Sequence, residues 1–290
     1  MTFLKAIFLG FVQGITEFLP VSSSGHLAIC KHLLNMQLDT GILFDCLLHF
    51  ATLIAICVVF HKDVFEMIVE FFKMIGDIFH NLFELIKTKD KSKRDYRKVV
   101  GSPYRKLVLM ILVSSVPTAI IGFAAKDLVE TLEETLLFPG IFLIITAIIL
   151  FVADRIKDGN KSIKEATYPD SLIIGVAQGI ATMPGISRSG TTLLACMLCK
   201  FERNFAVKYA FLVSLPAVAG ATLLELIKLD TSTVTGHDVG CFIVGMLAAG
   251  IVGFVCIKVM LMIVRKKKFL YFSIYCLLVG TVSLIGYFLM

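Results

Sequence analysis

The sequence predicts an all-α polytopic membrane protein built as an inverted-topology repeat, each half a re-entrant helix–loop–helix plus three transmembrane helices. Three observations carry that expectation: an apolar excess, six apolar runs of spanning length, and a motif that recurs 165 residues downstream. Of the 290 residues, 57% are hydrophobic and 17% charged, and the mean hydropathy is +0.87. A soluble domain has about 45–50% apolar and about 25% charged residues. A water-soluble fold of this composition would expose large apolar patches. That disfavours a secreted disulfide scaffold, a disordered tail and a nucleic-acid-binding domain. The 28 Lys and Arg against 22 Asp and Glu are therefore read by location, and not as a sign of a nucleic-acid partner.

Taken in chain order, 4–19 is apolar but interrupted by Gln13 and Glu17, and no small-x-small cleavage site follows it. It is expected to be part of the mature protein, not a signal peptide. With 25–34 it forms a pair of pieces too short to span comfortably, split by Leu19-Pro-Val-Ser-Ser-Ser-Gly25. A second such pair, 171–183 and 190–200, is split by Met183-Pro-Gly-Ile-Ser-Arg-Ser-Gly190. Irregular backbone at membrane depth is tolerated only where protein or a wet cavity satisfies its polar groups. Both pairs are accordingly read as re-entrant hairpins, with ordinary spans joined at the surface as the alternative.

Spans of about 20 apolar residues are expected at 42–61, 107–124, 136–153, 206–227, 238–264 and 269–289. The first carries Asp45 and His49. Between the first two, Phe65, Ile68, Val69, Phe72, Phe79, Leu82 and Phe83 recur at helical spacing opposite Glu66, Glu70, Lys73, Asp77 and Glu84. Residues 62–106 thus read as an amphipathic helix followed by a basic cytoplasmic loop. With that loop inside, 22 of the 28 basic residues fall on the cytoplasmic side and only Lys5, Lys31, Lys126 and Lys228 on the other. All eight cysteines lie in apolar stretches, and Cys196-x-x-Cys199 reads as two packed helix residues.

Gly10–Gly25 aligns with Gly175–Gly190 at seven of sixteen positions, including Gln13, Gly14, Ser22 and Ser24 with their partners. Three spans separate the copies, so they enter the membrane from opposite faces. The chain is then one integral membrane domain, 1–290, with repeat 1 about 1–153 and repeat 2 about 171–290. In such folds the functional site lies where the interrupted segments meet. Gln13, Glu17, Ser22, Ser23, Ser24 and His26 come from the first copy. Gln178, Ser187, Arg188, Ser189, Thr191 and Thr192 come from the second. Gln13 and Glu17 share one helix face. An intramembrane charge costs about 2.5–3.5 kcal/mol even on the lenient insertion scale, so Glu17 and Arg188 point to a wet site. Two Ser-capped helix N-termini and one Arg make an anion cradle suited to a diphosphate. In the blander reading the serines only cap helices and Arg188 only pairs with Glu17.

These residues resemble the undecaprenyl-diphosphate phosphatase family, linked to bacitracin resistance. Its signatures read here as Gln13-Gly-Ile-Thr-Glu17, Pro20-Val-Ser-Ser-Ser-Gly-His26 and Pro184-Gly-Ile-Ser-Arg-Ser-Gly190. Position 13 is Gln where many members have Glu. The resemblance implies hydrolysis of undecaprenyl diphosphate to the monophosphate and inorganic phosphate, on the outer face of the bacterial cytoplasmic membrane. It also implies a role in lipid-carrier recycling for peptidoglycan and a divalent cation, Mg²⁺ or Ca²⁺, with Glu17 as a candidate ligand. Combined with residue chemistry, it makes Ser23 the nucleophile and Glu17 or His26 the base. Arg188 stabilises phosphoryl charge, and Gln13, Ser22, Ser24, Ser187, Ser189 and Thr192 line the substrate. Water attack, with Ser23 only binding phosphate, is the closest alternative. The expected partners are the polyprenyl diphosphate and the bilayer; monomer and homodimer both stay open. Competing classes are an inverted-repeat transporter or flippase for a polyprenyl phosphate or other anion, and a passive lipid-binding subunit.

Overall fold

The computed structural model describes residues 1–34, 41–87, 95–228, 234–265 and 268–289. The segments 88–94 and 266–267, which hold part of the basic residues assigned to the cytoplasmic side, lie outside them, as do the side chains of Glu225 and Lys228. The described chain is helical throughout, with one isolated bridge between Lys161 and Phe201. Its elements are α1 (Phe3–Phe18), α2 (Ser23–Leu33), α3 (Gly41–Val59), α4 (His61–Lys87), α5 (Pro103–Ala124), α6 (Lys126–Glu133) and α7 (Leu137–Arg155). After a loop follow α8 (Tyr168–Ile180), α9 (Arg188–Leu198), α10 (Arg203–Leu212), α11 (Ser214–Lys228), α12 (Gly236–Arg265) and α13 (Leu270–Leu289).

Five stretches are long and apolar enough to cross a membrane: Pro103–Ala124, Leu137–Arg155, Arg203–Leu224, Gly236–Val264 and Leu270–Leu289. The expected first span coincides with α3, which turns by 92° into α4, and that bent pair supplies the sixth. The expected fourth span is divided at Val213 into α10 and α11. Pro216 has no N–H for the Leu212 carbonyl, and Ser214 donates its hydroxyl to Phe211 O over 2.8 Å. The outward faces of α5, α7, α12 and α13 carry exposed Val116, Ile120, Ile148, Phe151, Ile251, Val255, Leu278 and Val282. So continuous an apolar exterior suits hydrocarbon and not water.

Side-chain caps start the short helices. Thr167 and Asp170 form a reciprocal capping box at α8, where Pro169 in the first turn needs no donor. Ser22 and Ser187 cap α2 and α9 by accepting from Gly25 N and Gly190 N over 3.3 and 3.1 Å. Helix α1 docks on α12, and α8 docks on α5. The approach requires glycine: a Cβ on Gly10 would lie 2.2 Å from Gly245 O, and one on Gly175 would lie 2.2 Å from Ser114 O. Helices α7 and α13 pack on each other along their length.

Loop contacts define two ends of the bundle. At one, Lys106 donates to Lys164 O, Arg203 pairs with Asp158, Lys208 pairs with Asp63, and Asp154 caps α13 at Phe269 N. At the other, Lys5 reaches Leu34 O, His32 donates to Glu134 O, and His237 donates to Met1 O.

Candidate active site

The C-terminal turns of α1 deliver Gln13 and Glu17, one helical turn apart on one buried face. The chain leaves α1 through Leu19-Pro20-Val21, where Val21 N closes a tight turn on Leu19 O at 2.8 Å. It re-enters a helix through Ser22, whose φ of 70° is a left-handed conformation costly for a residue with a Cβ. The matching turn before α9 uses Gly185 at φ 104°, where glycine carries no such cost. The two turns touch: Gly185 N donates to Ser24 Oγ over 3.4 Å, and Ser189 Oγ donates to Leu19 O over 3.4 Å.

Glu17 is the hub where these pieces converge. Its Oε1 accepts from the Arg188 guanidinium, reached from 171 residues away. Its Oε2 accepts from Ser23 Oγ at 2.6 Å and from Gln13 Nε2 at 2.9 Å, and lies 3.1 Å from His49 Nδ1. Glu17 and Arg188 share a polar cavity of about 230 Å³ with Ser22, Ser23, Ser24, Ser187, Thr182, His49 and Glu133. Thr182 stands at the position aligned with Glu17 in the second copy, and Arg188 at that of Ser23. The two turns are thus alike in their serine caps, place the left-handed residue at different positions, and are complementary in chemistry.

The remaining sequence candidates lie around this cavity. His26 is held from both sides: Nδ1 donates to Ser22 O at 2.7 Å, and Nε2 accepts from Tyr275 Oη at 2.9 Å, its ring stacked on Tyr275. Of the two candidate bases, Glu17 is the one that touches Ser23. Thr192 donates its hydroxyl to Arg188 O at 2.7 Å, within its own helix, and Ser187 Oγ contacts Ser189 Oγ at 3.3 Å. Gln178 sits in a separate buried network with Thr118 Oγ1 and Val213 O. Cys196 and Cys199 are buried free thiols.

Sequence reasoning gave no role to His49, Glu133 or Tyr275. A His four residues after Asp45 in an apolar span was a visible signal for the first. Nothing local marked Glu133 on a short helix or Tyr275 in the last span.

Beside the polar cavity lies a groove of about 1380 Å³ between α2, α3, α5, α6 and α11. Leu27, Ile120, Phe123, Ala217 and Leu224 make its walls apolar, while Lys31, His32, Lys126, Glu130 and Glu134 mark its charged rim. The rim lies at the end of the bundle where His32 meets Glu134. Ser24, His49, Glu133 and Thr182 line both spaces. Lys31 pairs with Asp45 on the groove wall. Burial and the nearby Asp45 carboxylate raise the Glu133 carboxyl to about 7, against the opposing pull of Lys31 and His49.

Hard oxygen donors are available for a divalent cation. Gln13 Oε1 is buried and has no hydrogen-bond partner, and the Glu17 carboxylate is one turn away. Among the described residues no group of three or more His, Cys, Asp or Glu is arranged to hold a metal alone. The set fits a cation that keeps water and takes phosphate oxygens from its substrate.

A polar pocket with a serine hydroxyl on a carboxylate and one arginine, opening beside an apolar groove, suits an anionic head group on a long apolar chain. Comparison with known proteins agrees with that chemistry. An undecaprenyl-diphosphatase of Alkaliphilus metalliredigens is 38% identical over 285 residues, 98% of each chain. Another, of Methanosphaera stadtmanae, is 36% identical over 282 residues, 97% of each chain. A third, of Treponema denticola, is 38% identical over 280 residues, 97% of this chain and 96% of the other. The family described as bacitracin resistance protein BacA matches residues 6–282, and the chain belongs to that family.

Proposed function

We propose that this protein hydrolyses undecaprenyl diphosphate to undecaprenyl phosphate and inorganic phosphate, an activity that recycles the lipid carrier and confers bacitracin resistance. The observation that carries the mechanism is the contact between Ser23 Oγ and Glu17 Oε2 at 2.6 Å, with Arg188 on the other carboxylate oxygen. The terminal phosphate of the substrate takes Arg188, as a guanidinium binds phosphate in bidentate fashion. Glu17, released from that pair, accepts the Ser23 proton as Ser23 Oγ attacks the terminal phosphorus. The Oγ–P bond forms, the bond to the bridging oxygen breaks, and undecaprenyl phosphate leaves. Glu17 passes the Ser23 proton to the leaving undecaprenyl phosphate and, ionised again, takes one from the water that attacks the phosphoserine. The Ser23 Oγ–P bond breaks, Ser23 Oγ takes the proton back from Glu17, and inorganic phosphate departs. Donors from Ser22, Ser24, Ser187 and Ser189 and from the α2 and α9 N-termini surround the transferring group. His26 and Thr192 steady the two turns from behind.

Mg²⁺ or Ca²⁺ is the cofactor in this reading, and Glu17 and Gln13 Oε1 would hold it. It supplies Lewis-acid neutralisation of phosphate charge. The groove receives the prenyl chain. Its rim lies at the end of the bundle away from the Lys106, Lys164 and Arg203 loops, so the positive-inside rule orients the site outward across the cytoplasmic membrane. The reciprocal docking of α1 on α12 and α8 on α5 supports an inverted-topology repeat with re-entrant hairpins.

The test is phosphate release by purified, detergent-solubilised protein. Arg188→Ala and Ser23→Ala are each expected to lower kcat for a polyprenyl diphosphate by about 10²-fold or more. A phosphoserine trapped at Ser23 supports the covalent route; an active Ser23→Ala protein refutes it.

A further inference from the structure

Tyr275, in the last span, reaches the first serine turn through His26, and the mechanism above gives it no role. It lines neither the polar cavity nor the groove. Its ring lies on the outward face of α13 with Leu278 and Val282, 43% exposed, while its hydroxyl turns inward to His26 Nε2 at 2.9 Å. At a face turned to hydrocarbon, water is not at hand to replace that bond. The other ring nitrogen, His26 Nδ1, donates to Ser22 O at 2.7 Å. That carbonyl belongs to the peptide joining Ser22 to Ser23, so its direction fixes Ser22 ψ and the course of the chain into Ser23. Ser22 holds a φ of 70°, disfavoured for a residue with a Cβ. Ser23, the next residue, meets Glu17 Oε2 at 2.6 Å. On the other side of the turn, Val21 is buried in one cluster with Cys276, the neighbour of Tyr275, and with Leu143 and Leu150 of α7.

The second copy supplies the comparison. Ser187, aligned with Ser22, has a φ of −74°. Thr191, aligned with His26, has its Oγ1 buried without a hydrogen-bond partner among the described residues. The imidazole and its tyrosine thus occur at the turn whose serine carries the unfavourable φ, and not at the other. We infer that Tyr275 is a positioning residue for the reaction: through His26 it holds the Ser22 carbonyl, and with it the positive-φ backbone that sets Ser23 Oγ against Glu17. The inference rests on the phosphatase reading above. A hydroxyl displaced from its base loses rate in the attack on phosphorus, while Arg188 and the groove hold the substrate as before.

The test uses the purified full-length protein. Tyr275→Phe removes the hydroxyl, keeps the stacked ring and suits hydrocarbon at least as well, so its unfolding temperature in detergent should match wild type. Its kcat for a polyprenyl diphosphate is expected to fall about tenfold, with KM within about twofold of wild type. The same substitution is then made in two Ser22 backgrounds. Glycine populates positive φ about as readily as negative, whereas alanine keeps the Cβ; both lack the hydroxyl. Whatever kcat each Ser22 variant has alone, Tyr275→Phe should lower it about tenfold in Ser22→Ala and by no more than about twofold in Ser22→Gly. Wild-type kcat in Tyr275→Phe, or equal losses in the two backgrounds, overturns the assignment. Hydrogen exchange of residues 20–26 reads the same turn without turnover, and Tyr275→Phe should speed it about fivefold or more. If wild type itself releases no phosphate, the phosphatase reading fails, and exchange alone then decides: unchanged exchange in Tyr275→Phe refutes its hold on the turn.

Discussion

Glu17 holds a carboxylate in an apolar setting because each oxygen is supplied with donors: Arg188 on one, Ser23 and Gln13 on the other. Removing any one leaves buried charge short of a partner, so substitutions here act on the site before they act on the fold. Glu133 stands in a different situation. It lines both spaces from α6, faces Asp45 and His49 of α3 and Lys31 of α2, and has Glu130 beside it on its own helix. Burial and Asp45 favour its neutral acid, so it is protonated below about 7 and charged above that value. A charge at this junction repels an incoming diphosphate. The KM for polyprenyl diphosphate is therefore expected to rise across neutrality, and Glu133→Gln to flatten that rise. Parallel KM profiles for the two proteins would contradict this account.

At the level of the element, the helices are held by close approach as much as by apolar burial. Position 175 shows the difference. Alanine there would press its Cβ to 2.2 Å from a backbone oxygen of α5, and backbone cannot move aside as a flexible side chain can. Gly175→Ala is expected to cost about 1–3 kcal/mol or more, read as a lower unfolding temperature in detergent. Gly76, in α4, has nothing within 4 Å of the same construction. Gly76→Ala should be neutral or stabilising by up to about 1 kcal/mol through helix propensity. Equal effects of the two substitutions would remove the packing argument. The break between α10 and α11 follows the same local logic: Pro216 withholds a donor from Leu212 O, and the Ser214 hydroxyl bonds the neighbouring Phe211 O.

For the whole molecule, the loops divide into two clusters. Lys106, Lys164, Arg203 and Lys208 gather at one end, and the rim of the groove is at the other. With the basic end cytoplasmic, Lys126→Cys should react with a membrane-impermeant maleimide in intact cells, and Lys157→Cys only after permeabilisation. The opposite pattern would turn the site toward the cytoplasm. The native cysteines, buried or half-buried, set the background against which both are read.

The sequence by itself determined the class, the membrane segments and the two turns, because each is local. Hydropathy marks spans, proline and serine mark breaks and caps, and a repeated motif marks its copy wherever it lies. It also put Gln13 and Glu17 on one face, since helical spacing is fixed. It could not place His49 against Glu17, Glu133 at the junction or Tyr275 against His26, which come from helices α3, α6 and α13. Contacts between helices depend on rotation about each axis and on how far glycines let axes approach, and neither is written in the spacing along one segment. Gln13 is the instructive residue. In the sequence it shares a helix face with Glu17; in the tertiary structure its amide nitrogen meets both that carboxylate and the His49 imidazole that α3 brings in.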